Sequence, residues 1–155
     1  MTDRGGTKRD LSLGPGTVRE AVIEELRGGT RVLAPQLAEL VRATDEPFVQ
    51  VIVDLEVPQM VFGRVCLIGD AAFAVRPHAA AGTAKAAEDA WSLAAALSSH
   101  GADLGYALSE WERERLRVGR FVVDRSRRMG DRSQNSCTWR PQDQELRFGL
   151  HGPHR

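Results

Sequence analysis

The spacing of apolar positions changes character several times along the chain, and each change predicts an element. Val18, Ala21, Val22 and Leu26 recur at helical spacing. Thr17 is the expected N-cap of this first helix, Glu20 its capping-box partner, and Gly28-Gly29 its stop. A second helix is expected from Pro35 to Ala43, with Leu37, Leu40 and Val41 inward and Pro35 at the permitted first-turn position. The period then falls to two. Phe48, Val49, Val51, Ile52 and Val53 predict a strand within 47–58, and Gln50, Asp54 and Glu56 give it a polar face toward solvent or a cavity.

A short apolar run from Val65 to Ile68, β-branched at both ends, predicts a buried strand. An Ala-rich helix follows from about Ala84 to Leu97, with Ala87, Ala90, Trp91, Ala94 and Leu97 on one face and Gly101 past its end. Leu104, Leu108, Trp111, Val118, Val122 and Met129 predict a long helix from Leu104 to about Met129. Residues 1–16 are polar and glycine-rich, and the expectation is either a connecting loop that has lost what preceded it or a disordered start. The tail from Gly130 to Arg155 is turn-rich, with Trp139, Leu146, Phe148 and Leu150 irregularly spaced. It is either an extended arm over the body or disordered.

Composition narrows the function classes. The 155 residues carry 21 basic and 21 acidic side chains, so charge gives no argument for a nucleic-acid or membrane partner. Arginines crowd the long helix, but Glu110, Glu112 and Glu114 interrupt them, as on a solvated face of ion pairs. No run approaches a membrane span and the N-terminus has no signal-peptide core, so the expectation is cytoplasmic. Cys66 and Cys137 read as free thiols, and no metal is expected.

The candidate chemistry lies at Gly69-Asp70, where the predicted strand ends, and at Gly82-Thr83, where the next helix begins. In open α/β sheets ligands bind at the carboxyl ends of strands, near the free N–H groups of the following helix. The bland alternatives are a turn cap for Asp70, a loop glycine for Gly82, a solvated lysine for Lys85 and a loop histidine for His78.

Gly69-Asp70-Ala71-Ala72, with Pro77, Gly82 and Asp89-Ala90 at these spacings, resembles the second flavin motif of the FAD-dependent aromatic hydroxylases. These are the class A flavoprotein monooxygenases of the p-hydroxybenzoate hydroxylase type. The stretches 48–57 and 62–73, with Arg76-Pro77-His78, are similar to the branch containing 2,6-dihydroxypyridine 3-monooxygenase. The resemblance implies an incomplete α/β fold of the FAD/NAD(P)-binding type, with few strands, an Ala-rich helix after the Gly-Asp motif and a long C-terminal helix. It divides the chain into a remnant of the substrate-side domain (1–58), the C-terminal part of the FAD-binding domain (59–130) and a tail (131–155).

By the same resemblance FAD is the cofactor. Gly69 and Asp70 meet the ribityl hydroxyls, and Pro77, Ala80, Ala81, Gly82, Thr83 and Ala84 lie along the isoalloxazine. A carboxylate accepts from two hydroxyl donors at once, and N–H groups at a helix start favour the charge of the reduced ring. NADH or NADPH is the implied reductant, and an electron-rich aromatic or hydroxypyridine ring the substrate. Phe73 stands where many members have histidine, and no catalytic residue is assigned. Ala80 replaces a glycine, with its backbone contact expected to survive if φ stays negative.

No G-x-G-x-x-G on a strand–helix turn occurs in the sequence. The expectation is therefore a C-terminal portion of such an enzyme, probed against two alternatives: one half of a split flavoprotein, or a non-catalytic helical interaction module that self-associates.

Overall fold

The structure is a computed structural model that describes residues 12–100, 103–136, 138, 140, 142–144 and 147–150. It divides into two compact units, meeting in sequence at Val51 and Ile52.

In the first unit, β1 (Ser12–Leu13) pairs antiparallel with β2 (Val49–Gln50), and between them run α1 (Glu20–Gly28) and α2 (Pro35–Ala43). Leu13, Val18 and Ile23 form its core, with Val22 and Val49 against them. The expected cap is not made. Arg19 holds the N-cap position without a side-chain bond, while Thr17 Oγ1 donates to Gly14 O at 2.7 Å, closing a turn before the helix. The inward face also differs from expectation: Ile23 and Ala38 are buried, whereas Leu26, Leu37 and Leu40 are exposed. Leu26, Leu33, Val22 and Val41 instead line a groove of about 460 Å³.

The second unit is built on two helices, α3 (Gly82–His100) and α4 (Leu104–Gly130), packed against each other. Asp103 caps α4 by accepting from the Tyr106 N–H at 3.0 Å. Its buried stripe runs through Ala107, Leu108, Trp111, Val118, Val122, Val123 and Met129. A small hairpin, β3 (Val61–Phe62) with β4 (Val65–Cys66), turns at Gly63. It is fastened to α4 by Glu112, whose Oε1 accepts the Met60 and Val61 N–H groups at 2.6 and 2.8 Å. The predicted buried strand is thus two residues of an antiparallel hairpin, with Val65 and Ile68 exposed.

The run before the hairpin is extended but forms a ladder only at Val49–Gln50. Leu55 and Val57 donate instead to Ala74 O and Ala72 O, laying the segment along the loop that precedes α3. Of its polar residues Gln50 is exposed to solvent, while Asp54 and Glu56 meet arginines. Asp54 pairs with Arg76 and Arg127, and Glu56 with Arg127 at 2.6 Å. The Arg127 hydrogen bond, helped by Arg76, holds the Asp54 carboxyl down to about 2.

Past α4, a π-helical turn covers Asp131–Asn135. Of the tail, Gly149 donates to Ala79 O at 2.7 Å, Arg125 donates to the carbonyls of Arg147 and Gly149, and Leu150 packs on the core. Cys137, Trp139 and Leu146 lie outside the described residues.

Candidate functional site

The loop from Gly69 to Ala81 is held between α3 and α4 at every turn. Gly69–Ala71 is a single 3-10 turn against α3, and Pro77–Ala79 another against α4. Phe73 is fully buried, its ring against Gly119, where a Cβ would fall 2.4 Å from the ring. His78 packs the same way on Gly130, where a Cβ would come within 2.8 Å of the imidazole. Ser126 Oγ donates to Arg76 O at 2.8 Å. These are contacts of side chain with bare backbone, so the loop's path is set by the missing Cβ atoms of the long helix.

Within this frame Gly69 takes φ +58°, a conformation glycine adopts without penalty, and lies so close to α3 that a Cβ would stand 3.1 Å from Ala86 Cβ. Its N–H donates at 3.0 Å to Oδ2 of Asp89, one turn further along α3. Its carbonyl accepts from Ala72 and Phe73. Asp70, next in the chain, is exposed, and its carboxylate makes no hydrogen bond or ion pair among the described residues.

The start of α3 is equally unspent. Ala81 precedes Gly82 and has no side-chain acceptor, and among the described residues no side chain caps the N–H groups of Gly82, Thr83 and Ala84. A Cβ on Gly82 would meet nothing within 4 Å. Pro77, Ala80, Thr83 and Ala84 are exposed, Gly82 half-buried and Ala81 buried. Ala80 departs from expectation: its φ is +50°, in the left-handed region that favours glycine, so the negative φ that its expected backbone contact requires is not present. Since Gly69 rests on Ala86 and Asp89, Asp70 lies beside the second turn of α3, roughly 6–10 Å along the axis from its start.

The largest difference from the sequence reading is Lys85. It is not solvated but only 1% exposed, its ammonium 2.7 Å from Asp89 Oδ2 and 5.1 Å from the Phe73 ring centroid. Arg115 of α4 completes the cluster, its Nε 2.9 Å from Asp89 Oδ1 and its Nη2 2.9 Å from Glu88. Trp111 Nε1 donates to Asp89 O and Ser92 Oγ. One buried carboxylate therefore satisfies two buried cations and a backbone N–H. Removing one partner from such a pair costs roughly 3–5 kcal/mol, because a buried charge is left alone. The sequence did carry a signal: Lys85 and Asp89 are four apart, and Arg115 interrupts the apolar stripe between Trp111 and Val118.

As a consequence the predicted face of α3 is turned outward. Ala87, Ala90, Ala94 and Leu97 are exposed and Trp91 is 81% exposed, while Lys85 and Asp89 face the interior with the half-buried Ala86, Leu93 and Ala96.

An exposed carboxylate with spare acceptor capacity beside an uncapped helix start fits a polyhydroxylated, partly anionic cofactor. Sequence comparison agrees. Residues 53–126 match the FAD binding domain family, and residues 1–54 a family described as FAD binding domain-like. Together the two FAD-binding families account for residues 1–126, and the relatives of this chain are FAD-dependent monooxygenases. Among its relatives is the 2,6-dihydroxypyridine 3-monooxygenase of Paenarthrobacter nicotinovorans, 35% identical over 97% of this chain and 38% of that protein. The solved structure of 2,6-dihydroxypyridine-3-hydroxylase from Arthrobacter nicotinovorans superposes with a TM-score of 0.87 at 34% identity, covering all of this chain and 40% of that one. Klebsiella pneumoniae HpxO, solved with FAD and uric acid, gives 0.62 at 28% identity over 75% of this chain and 31% of its own. The chain thus spans well under half the length of these relatives, and its fold is a partial FAD-binding fold.

Proposed function

We propose that this chain supplies the ribityl and isoalloxazine part of the FAD site of a monooxygenase acting on an electron-rich aromatic or hydroxypyridine ring. The observation that carries this reading is the pairing of an exposed, unpartnered Asp70 with an uncapped helix start, offset along one face of α3. Asp70 accepts hydrogen bonds from ribityl hydroxyls, with Gly69 holding its turn. Gly82, Thr83 and Ala84 present N–H groups to the N1/C2=O edge of the ring, and Pro77 and Ala81 form the backbone against which it lies. The offset suits a ligand whose polyhydroxy chain and ring follow one another. When bound, FAD supplies the redox and oxygen-transfer chemistry, with NADH or NADPH as reductant. The chain's own residues place the flavin and stabilise charge on its ring. Contacts to the pyrophosphate and adenosine come from residues outside this sequence, since no G-x-G-x-x-G is present.

The chain alone therefore binds FAD weakly. Titrating FAD into the purified chain and following flavin fluorescence tests this. A weak response lost in Asp70→Asn supports the reading, and tight stoichiometric binding would overturn the claim that further contacts are needed. The cytoplasm, which keeps Cys66 reduced, is the proposed location.

A second reading draws on the outward stripe of α3. Trp91 at 81% exposure, with Ala87, Ala90, Ala94 and Leu97, is an apolar face suited to a separate N-terminal flavoprotein half or a second copy of this chain. Light scattering separates the two. A stable dimer without any flavin response favours the interaction module, and a monomer that responds to FAD favours the flavin reading.

A further inference from the structure

We propose that Asp89 is the positioning residue of the flavin turn: its carboxylate fixes the Gly69 N–H and thereby aims Asp70. The inference rests on the flavin reading above for Asp70, but the geometry that carries it is internal to the chain. Asp89 is fully buried, and its two oxygens point to different elements. Oδ2 accepts from Gly69 N–H at 3.0 Å and Lys85 Nζ at 2.7 Å, and Oδ1 accepts from Arg115 Nε at 2.9 Å. Gly69 is pressed onto the same face of α3 at Ala86, three residues before Asp89.

With its N–H held by Asp89 and its carbonyl held by Ala72 and Phe73, the Gly69 residue has no freedom to rotate. Asp70 therefore leaves the turn in one direction, its side-chain torsions alone remaining free. Lys85 and Arg115 keep the acceptor in place from opposite sides, one from α3 and one from α4. They compensate the charge that a backbone N–H alone would not.

An amide cannot substitute for this carboxylate. In Asp89→Asn, either the Nδ2 group faces the Gly69 N–H and Lys85, or it faces Arg115. Both arrangements set donor against donor. The variant keeps the side chain's shape and loses one of its two acceptor sides. Trp111→Phe is the matched control. It removes the donor to the Asp89 backbone carbonyl and destabilises the same cluster, yet leaves the carboxylate and its bond to Gly69 intact.

The experiment uses the full chain and two readouts: amide exchange and chemical shift at Gly69 and Asp70 by NMR, and FAD affinity from the flavin difference spectrum. Asp89→Asn is expected to speed Gly69 amide exchange about tenfold or more and to weaken FAD binding about five- to tenfold. Adding Asp70→Asn to it should cost little further affinity, because the two residues act as one unit. Trp111→Phe is expected to lower the melting temperature while leaving FAD affinity within about twofold of the parent. Should Asp89→Asn not fold, Asp89→Glu serves. It keeps the charge but carries the acceptor one methylene past Gly69, and the same two effects are expected.

The proposal is overturned if Gly69 and Asp70 keep their parental signals in the Asp89 variant, or if its loss of FAD affinity is matched by Trp111→Phe. If the parent chain gives no flavin response at all, the flavin reading fails separately. The Gly69 and Asp70 signals then decide the positioning role: shifts centred on 68–73 support it, and unchanged signals overturn it.

Discussion

The ring of Phe73 lies on the bare backbone of Gly119, so close that a Cβ there would sit 2.4 Å from the ring. The motif loop and the long helix are thus joined by a contact that one added methyl would destroy. Because Phe73 is fully buried and follows Gly69-Asp70 by three residues, the strain would reach the candidate site directly. Gly119→Ala is expected to destabilise the chain by about 1–3 kcal/mol through overpacking. Gly28→Ala, at a helical position with nothing within 4 Å, should instead be neutral or stabilising by up to about 1 kcal/mol. Urea denaturation of both variants beside the parent checks the contrast.

Ala80, at φ +50°, is the one described non-glycine residue in the left-handed region. Ala80→Gly relieves a conformational penalty of about 1–2 kcal/mol and gives back about 0.5–1 kcal/mol through the freer unfolded chain. A net gain of about 0.5–1 kcal/mol is expected, read as a rise of about 1–4 °C in melting temperature. An unchanged or lowered melting temperature would show that the loop does not hold this turn in solution.

Asp54 makes stability depend on acid. Its folded pKa of about 2 lies below the ordinary 3.8, chiefly through the Arg127 hydrogen bond and then through Arg76. The unfolded chain therefore takes up the proton first. The stabilisation is complete above pH 3.8 and is lost as the pH falls toward 2. With both arginines more than a third exposed and screened, it amounts to about 1–2 kcal/mol. Melting curves between those pH values should flatten in Asp54→Asn relative to the parent.

Cys66 is held to its thiol form. Burial first, and then the charge of Glu112, raise its pKa above the ordinary thiol value. Its reaction with a disulfide reagent near pH 8 should be several-fold slower than that of free cysteine, since the thiolate is the nucleophile. A Cys137→Ser background isolates the reading, and a rate equal to that of free cysteine would contradict the assignment.

Local order was legible in the sequence where backbone preference decides it. Pro35 opens α2 and Ala43 ends it at the expected residues, and α4 begins at Leu104 as its apolar period requires. The flavin family was legible from Gly69-Asp70 and the spacing that follows. The orientation of α3 was not. A wheel drawn on hydrophobicity turns Trp91 inward, but Lys85 and Asp89 are the residues buried, because Arg115, 26 positions beyond Asp89, completes their charge balance. A charge becomes a core residue only through its partners, and those partners are set by helix packing. Similarly, the polar face of residues 54–56 had no readable destination until Arg127, 73 positions after Asp54, came to meet it. Glu112, which holds the hairpin by two backbone N–H groups, looked like one more charge on a solvated helix.

The outward placement of Trp91 also gives the chain its own optical reporter. Trp111 is buried at 3% exposure, whereas Trp91 stands at 81%. The two indoles sit in opposite solvents, one emitting from a dry interior and one from water. With the third indole, Trp139, replaced by Phe, iodide reaches only the second of these, so any macromolecule that settles on α3 would shift the red part of the emission toward blue and shield it from the quencher, while the signal from Trp111 stays where it was.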